Sequence, residues 1–305
     1  MGKLAFVFSG QGAQAPGMGS ALCEAYPAAK AVFEAADALR PGTSEQCFRG
    51  TAEELTITKN TQPCLFAMEL AAAAVLTSSG IRADCAAGFS LGELSALCYA
   101  GAADFSTLFP LVCRRGELMQ RDAEASPTAM VAALKLTNEE VEAIAARFQN
   151  VYPVNYNCPG QVSVSGAASE IPAFSAAVKE AGGRTVPIAV AGAFHSPFMA
   201  AAGEDFALAL QKVGFRSPAL PVYANYTGAP YGTEVLPTLR EQMCHPVRWE
   251  KSIRAMKDAG VDTFVELGPG RTLCGLIAKI SREVRCFPLS TPEEAETVIR
   301  EVGTC

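Results

Sequence analysis

The sequence predicts an α/β fold, in which a large domain built on a parallel sheet is interrupted by a small insertion. Short apolar segments alternate with helical patterns over most of the chain, and this alternation is typical of a parallel sheet covered by helices. The 305 residues correspond to about two domains at roughly 150 residues each. Half of the residues are apolar and 18% are charged, so much of the chain must be buried.

The elements of the large domain follow from apolar runs and from helix signals. An apolar strand at residues 3–8 ends in a loop rich in Gly and Gln. Thr61 and Pro63 predict the start of a helix that Gly80 ends, because Thr is a good N-cap and Pro fits the first helical turn. The remaining predicted strands are 85–89, 221–225, 263–267 and 284–288, and the remaining helices are 91–100, 196–213, 249–259 and 271–281.

The middle of the chain has a different order of elements. Strands are predicted at 129–135, 151–156, 161–165 and 184–189, with helices at 137–150 and 169–181. Thr137 and Glu140 form a capping box at the first of these helices. The order β-α-β-β-α-β is the ferredoxin-like pattern. We therefore predict a small ferredoxin-like subdomain at 127–190 and a large subdomain formed by 1–126 and 191–305.

Composition excludes several function classes. Lys and Arg number 25 against 31 Asp and Glu, without a basic run, so a nucleic-acid partner is not expected. No apolar run is long enough for a signal peptide or a membrane helix, and we expect a cytoplasmic protein that does not bind membranes. The 11 cysteines form no Cys-x-x-Cys and only two histidines are present, so we expect mostly reduced core thiols and no metal.

One motif with catalytic chemistry lies between a predicted strand and a predicted helix. Residues 88–92 read Gly-Phe-Ser-Leu-Gly, a Gly-x-Ser-x-Gly pattern. In that setting a strained turn lifts the serine oxygen clear of the sheet, and the next backbone N–H points to a developing oxyanion. Ser90 is therefore the candidate nucleophile, and the alternative is a tight turn without catalytic function.

A serine nucleophile needs a base within hydrogen-bonding distance. The candidates are His195 and His245. His195 lies where the chain leaves the predicted insertion, and clefts form at such domain boundaries. His245 precedes a proline and could be a surface loop residue. The position favours His195.

A set of short segments extends over nearly the whole chain. They are residues 8–12, 88–93, 115–120, 157–161, 192–197, 242–249 and 266–270. Together, and in this order, they resemble the malonyl-CoA:acyl carrier protein transacylases of bacterial fatty-acid synthesis. The resemblance implies a hydrolase-like α/β domain with a ferredoxin-like insertion. It also implies transfer of malonyl from malonyl-CoA to the thiol of holo acyl carrier protein through a malonyl-serine intermediate, without a cofactor.

The resemblance assigns roles to individual residues. Ser90 is the implied nucleophile, His195 the general base and then acid, and the backbone N–H groups of Gln11 and Leu91 the oxyanion hole. The implied clamp for the malonyl carboxylate is Arg115. Its neighbour Arg114 cannot face the same way on a helix, so one of the two points outward, and the resemblance decides which. Further implied residues are Phe194 and Gln161 in the substrate site, and Gln242, whose carbonyl orients the histidine in place of Asp104 or Asp122.

The chain departs from the family at two positions. Phe89 stands where the family usually has His, and Ser9 stands where it usually has Pro. The function alternatives are a thioesterase with the same serine motif, a polyketide acyltransferase that takes methylmalonyl-CoA, and a non-enzymatic carrier-docking subunit. We expect a monomer, with Lys179 and Arg184 as candidate contacts for an acidic carrier protein.

Overall fold

The computed structural model describes residues 2–189 and 192–303. Its larger sheet has five strands: β1 (Lys3–Phe8), β2 (Cys85–Gly88), β7 (Val222–Tyr223), β8 (Val261–Leu267) and β9 (Arg285–Leu289). They lie in the order β7-β2-β1-β8-β9, and every neighbouring pair is parallel. The predicted α/β class is confirmed.

Both faces of this sheet are covered. Alternation along β1 places Phe6 and Phe8 in one buried cluster and Ala5 and Val7 in another, as expected for a parallel strand buried on two sides. The helices of this part of the chain are α1 (Ser20–Ala25), α2 (Pro27–Leu39), α3 (Thr43–Arg49), α4 (Ala52–Thr56), α5 (Thr58–Ser78), α6 (Gly92–Tyr99), α7 (Phe105–Ala125), α10 (Ala200–Leu210), α11 (Leu236–Leu239), α12 (Trp249–Asp258), α13 (Thr272–Ile280) and α14 (Pro292–Gly303).

A second, antiparallel sheet contains the strands of the middle segment. Its strands are β3 (Thr128–Leu134), β4 (Val151–Cys158), β5 (Gln161–Ala167) and β6 (Arg184–Ile188), in the order β4-β5-β3-β6. Helices α8 (Asn138–Ala145) and α9 (Ile171–Glu180) pack on it around a separate core that includes Phe174 and Val164. The predicted ferredoxin-like order is present, and the capping box of Thr137 and Glu140 is confirmed.

The division into residues 1–126 with 191–305 and 127–190 stays a prediction. Its second boundary, at residues 190 and 191, lies outside the described residues. Within the described ranges, none of the helices is both long and apolar enough to cross a membrane. Most described cysteines are free thiols, as expected, whereas Cys274 and Cys286 form a disulfide.

The predicted helix start at Thr61 is wrong. Helix α5 begins at Thr58, and Pro63 lies inside it. The first N–H of the helix, that of Thr58, donates to Gln120 Oε1 at 2.9 Å. A cap from a residue 62 positions away leaves no signal in the local sequence, which is why the start is displaced. The predicted helix at 196–213 is a 3₁₀ turn, Pro197–Met199, followed by α10.

Candidate active site

Ser90 lies on the sharp turn between β2 and α6. Its φ of 54° is in the left-handed region, where a residue with a Cβ is strained. The flanking glycines make the turn possible, because a Cβ on Gly88 would lie 1.8 Å from the carbonyl carbon of Gly92. A Cβ on Gly92 would lie 2.4 Å from the carbonyl oxygen of Phe8. The turn thus holds the Ser90 hydroxyl at the carboxyl edge of the sheet, next to the start of α6.

A histidine lies within hydrogen-bonding distance of this hydroxyl, and its other ring nitrogen contacts a backbone carbonyl. His195 Nε2 lies 2.7 Å from Ser90 Oγ, and His195 Nδ1 lies 2.9 Å from the carbonyl oxygen of Gln242. A carbonyl only accepts hydrogen bonds, so Nδ1 carries the proton and Nε2 is free to accept from the serine. The structure therefore brings together the nucleophile, base and base-orienting residue that the sequence predicts.

The surroundings of His195 keep its imidazole neutral. The residue is 3% exposed. Burial lowers its pKa to about 4, the Arg115 cation acts in the same direction, and the hydrogen bond to Gln242 opposes both. At neutral pH the ring is thus unprotonated at Nε2 and can take a proton from Ser90.

Arg115 is fully buried beside the nucleophile. Its Nη2 donates to Gln242 Oε1 at 2.9 Å and to Ser90 Oγ at 3.3 Å, and its Nη1 donates to Gln62 Oε1 at 2.8 Å. Its Nε has no hydrogen-bond partner among the described residues. Arg114, by contrast, is exposed and pairs with Glu117 at 3.3 Å. The buried member of the pair is the one that the resemblance selects.

A buried carboxylate holds the side chain of Gln242. Gln242 Nε2 donates to Glu93 Oε2 at 2.8 Å and to the carbonyl oxygen of Ser90 at 2.6 Å. The other oxygen of Glu93 accepts from the hydroxyl of Tyr231 at 2.6 Å. Burial raises the pKa of Glu93 to about 7, against the hydrogen bonds from Tyr231 and Gln242 and the nearby Arg115 cation. These contacts fix the segment whose carbonyl orients His195.

Sequence reasoning did not predict Asn225 as part of the site. Its Oδ1 accepts from the backbone N–H of Ser90 at 2.8 Å, and its Nδ2 donates to the carbonyl oxygen of Gly88 at 2.6 Å. Asn225 follows β7, the strand next to β2. Side chains at the carboxyl ends of neighbouring parallel strands share one edge, but the sequence does not show which strands are neighbours.

The two predicted oxyanion donors belong to two separate segments of the chain. Gln11 belongs to the loop after β1, and Leu91 precedes α6. Within residues 2–189 and 192–303, neither backbone N–H donates a hydrogen bond. The Gln11 side chain donates to Thr58 Oγ1 at 3.1 Å, which ties the loop to the start of α5.

A cavity of about 240 Å³ opens over Ser90, between the edge of the parallel sheet and the antiparallel sheet. Phe194 and Gln161 line it, as expected of substrate-site residues. Phe194 is buried beside His195, and Gln161 accepts from Lys279 Nζ at 3.1 Å. The other lining side chains include Gln11, Phe89, Met119, Met130, Asn155, Asn157, Ser163, Ile188 and Leu276.

Known proteins match both the sequence and the structure. Residues 5–298 match the family described as an acyl transferase domain. A malonyl CoA-acyl carrier protein transacylase of Bacillus subtilis is 40% identical over 98% of this chain and 97% of its own length. The chain belongs to the malonyl CoA-acyl carrier protein transacylase family.

Solved structures agree with this assignment, which makes the protein an acyltransferase. A transacylase of the same name from Clostridium perfringens superposes with a TM-score of 0.95 at 31% identity, covering 99% of this chain and 98% of that one. A malonyl-transacylase solved in complex with its type II PKS acyl-carrier protein superposes with a TM-score of 0.94 at 32% identity, covering 98% and 99%.

In this acyltransferase the side chains of His245, Asp104 and Asp122 have partners other than Ser90 and His195. His245 donates from Nδ1 to the carbonyl oxygen of Glu241 at 2.8 Å, and its ring centroid lies 4.7 Å from that of Tyr226, with the two planes tilted by 51°. Asp104 forms an exposed ion pair with Arg216. Asp122 accepts from the N–H of Ala202 at 2.6 Å and pairs with Arg121. In the described parts of the chain, neither Asp104 nor Asp122 hydrogen-bonds to His195, and His245 reaches it through its backbone rather than through its imidazole.

Proposed function

We propose that the protein transfers the malonyl group from malonyl-CoA to the phosphopantetheine thiol of holo acyl carrier protein, and so supplies fatty-acid synthesis. The observation that carries this proposal is the buried Arg115 guanidinium, whose Nη2 lies 3.3 Å from Ser90 Oγ. A cation held against a serine nucleophile suits an acyl group that carries its own carboxylate. The names of the relatives favour the same substrates.

The first half of the reaction loads Ser90. His195 Nε2 takes the hydroxyl proton while Ser90 Oγ attacks the thioester carbonyl of malonyl-CoA. The carbonyl oxygen becomes an oxyanion that accepts from the N–H groups of Gln11 and Leu91. When the carbon–sulfur bond breaks, the proton passes from Nε2 to the CoA sulfur, which leaves malonyl on Ser90 and free CoA.

The second half runs the same steps with the carrier thiol as nucleophile. After CoA leaves, His195 Nε2 takes the proton of the phosphopantetheine thiol, and the sulfur attacks the malonyl ester. The ester bond to Ser90 breaks, and the proton returns to Ser90 Oγ. Ser90 and His195 are thereby regenerated, and the two substrates react in turn, in a ping-pong mechanism.

The site residues hold the acyl group during both halves. Arg115 binds the malonyl carboxylate in two parallel hydrogen bonds, which also fixes the thioester carbonyl against Ser90. Gln242 orients His195 through its backbone carbonyl. Phe194 and Gln161 bound the space around the acyl group and the thioester arm. No step calls for a cofactor.

The carrier protein is the proposed macromolecular partner, bound by a monomeric enzyme in the cytoplasm. Lys179 and Arg184 are both exposed on the antiparallel-sheet side of the chain. They are the proposed contacts for an acidic carrier, since the net charge of −6 requires a local positive patch. If charge reversal at both positions leaves carrier affinity unchanged, this surface is wrong.

One incubation separates the proposed function from its alternatives. The protein is mixed with malonyl-CoA and holo carrier protein, and both proteins are weighed by mass spectrometry. Transfer predicts malonyl first on Ser90 and then on the carrier. Rapid release of free malonate would instead indicate a thioesterase, and the absence of any adduct would indicate a docking subunit.

A further inference from the structure

A buried carboxyl group lies beneath the nucleophile region without a role in the steps above. Glu69 of α5 is fully buried. Its Oε1 hydrogen-bonds with Ser9 Oγ at 2.7 Å, and its Oε2 hydrogen-bonds with Ser95 Oγ at 2.5 Å. Both serines are also buried, at 1% and 0% exposure. A buried polar group that engages two buried partners from different chain segments fixes those segments relative to each other.

The two segments are those that supply the proposed oxyanion donors. Ser9 lies two residues before Gln11 on the loop after β1, and Ser95 lies on α6, the helix that Leu91 precedes. The loop and the nucleophile turn are also in close contact, because a Cβ on Gly10 would lie 2.6 Å from the carbonyl oxygen of Phe89. One carboxyl group therefore spans both halves of the oxyanion hole.

The side chain of Ser9 is held tightly in this position. A Cβ on Gly268, whose φ is +128°, would lie 2.1 Å from Ser9 Oγ and 3.4 Å from Glu69 Cγ. Only a glycine leaves room for the hydroxyl there. The backbone N–H of Ser9 donates to the carbonyl oxygen of Leu267 at 3.2 Å. These bonds restrain the loop at Ser9.

We propose that Glu69 is a positioning residue for the acyl transfer: through Ser9 and Ser95 it sets the separation of the Gln11 and Leu91 N–H groups. This inference rests on the proposed function, because it needs those groups to bind the oxyanion. Preorganised donors lower the barrier without tightening substrate binding. Loosening them therefore lowers kcat and leaves KM nearly unchanged.

The protonation of Glu69 agrees with that role. Burial raises its pKa to about 8, the bonds from Ser95 and Ser9 oppose the rise, and the nearby Glu266 adds to it. At neutral pH the carboxyl group is mostly neutral, so one of its oxygens donates its proton to one serine hydroxyl while the other oxygen accepts from the second. Glu69→Gln keeps the group uncharged and reproduces both bonds, with the amide N–H as donor and the amide oxygen as acceptor. Glu69→Met keeps the length of the side chain and removes both bonds.

The test compares Glu69→Met and Glu69→Gln with Thr61→Val, a control on the same helix. Thr61 is buried and donates to the carbonyl oxygen of Leu55 at 2.5 Å, so its loss also destabilises α5. Malonyl transfer to holo carrier protein and the melting temperature are measured for each. We expect Glu69→Met to lower kcat about 10-fold with KM within twofold, less than the ~10²–10³-fold cost of deleting an oxyanion donor. Glu69→Gln and Thr61→Val should keep kcat.

The inference is overturned if Glu69→Met lowers kcat no more than Thr61→Val does at a similar loss of melting temperature. Should Glu69→Met not fold, Ser9→Ala and Ser95→Ala replace it. Either substitution breaks the link that Glu69 makes between Ser9 and Ser95, so the double variant should be no slower than the slower single variant. If the two losses in kcat multiply instead, the link is refuted. Wild-type protein that takes no malonyl on Ser90 would overturn the proposed function and this inference with it.

Discussion

Replacement of Arg115 by alanine should invert the preference for malonyl-CoA over acetyl-CoA. The guanidinium is fully buried, and its Nη2 lies 3.3 Å from Ser90 Oγ. A hydrogen bond to a charged group contributes about 1.5–3 kcal/mol, or roughly 10- to 150-fold in rate. A malonyl carboxylate left buried and unpaired costs more. Acetyl-CoA has no carboxylate on its acyl group, so its transfer loses none of this stabilisation.

The absolute rates need separate treatment, because Arg115 also supports its neighbours. Its removal leaves Gln62 Oε1 and Gln242 Oε1 without their donor, and each buried unpaired oxygen costs about 1–3 kcal/mol of stability. Gln242 also orients His195, so transfer of either acyl group can slow. That effect is common to both thioesters and cancels in their ratio.

The assay is therefore kcat/KM for both thioesters in each variant. Arg115→Ala should lower the malonyl-to-acetyl ratio by at least about 10-fold. Arg115→Lys should restore it only in part, because a single ammonium cannot form the paired hydrogen bonds. Arg114→Ala, which removes an exposed cation next in sequence, should leave the ratio unchanged. An equal fall for both thioesters in Arg115→Ala would mean that Arg115 serves the fold.

Three further predictions concern the dyad and the acyl pocket. Ser90→Ala should abolish the acyl-enzyme, and His195→Ala should slow its formation by several orders of magnitude. The double variant should be little slower than either single variant, because the two residues act as a unit. An equal loss of rate in His245→Ala would refute the assignment of the base. Because the pKa of His195 is lowered to about 4, the acidic limb of kcat/KM should lie near pH 4. Activity is lost only as the pH falls through that value, and Arg115→Ala should move the limb upward; a limb at pH 6.5 in the wild type would contradict this. Phe194 lines the cavity over Ser90, and we expect its ring to fill the space that an α-methyl group needs. The value of kcat/KM should then favour malonyl-CoA over methylmalonyl-CoA by about 1–3 kcal/mol, and equal values would refute this role.

Features set by local backbone chemistry could be predicted from the sequence. The turn at Ser90 needs glycines at fixed spacing, and the capping box at Thr137 needs Glu140 three residues later. In both cases the residues that interact lie within a few positions of one another, so the sequence motif alone predicts the local structure. The antiparallel middle segment followed in the same way from the order of its elements.

Features set by distant partners could not be predicted. Gln120 caps α5 from 62 positions away, and Asn225 holds the N–H of Ser90 across 135 positions. The residues next to Gln120 and Asn225 in the sequence do not indicate which backbone group each side-chain amide bonds. Residue type also could not decide between Arg114 and Arg115, because burial separates them and burial depends on how α7 packs.

The most direct test of the central claim is a chase of the isolated acyl-enzyme. The protein is loaded with malonyl-CoA, freed of CoA and mixed with either holo carrier protein or buffer, and the malonyl group is followed by mass. We expect malonyl on the peptide that contains Ser90, rapid transfer to the carrier thiol and much slower release into buffer. Malonyl on another residue, or release into buffer as fast as transfer to the carrier, would contradict the claim.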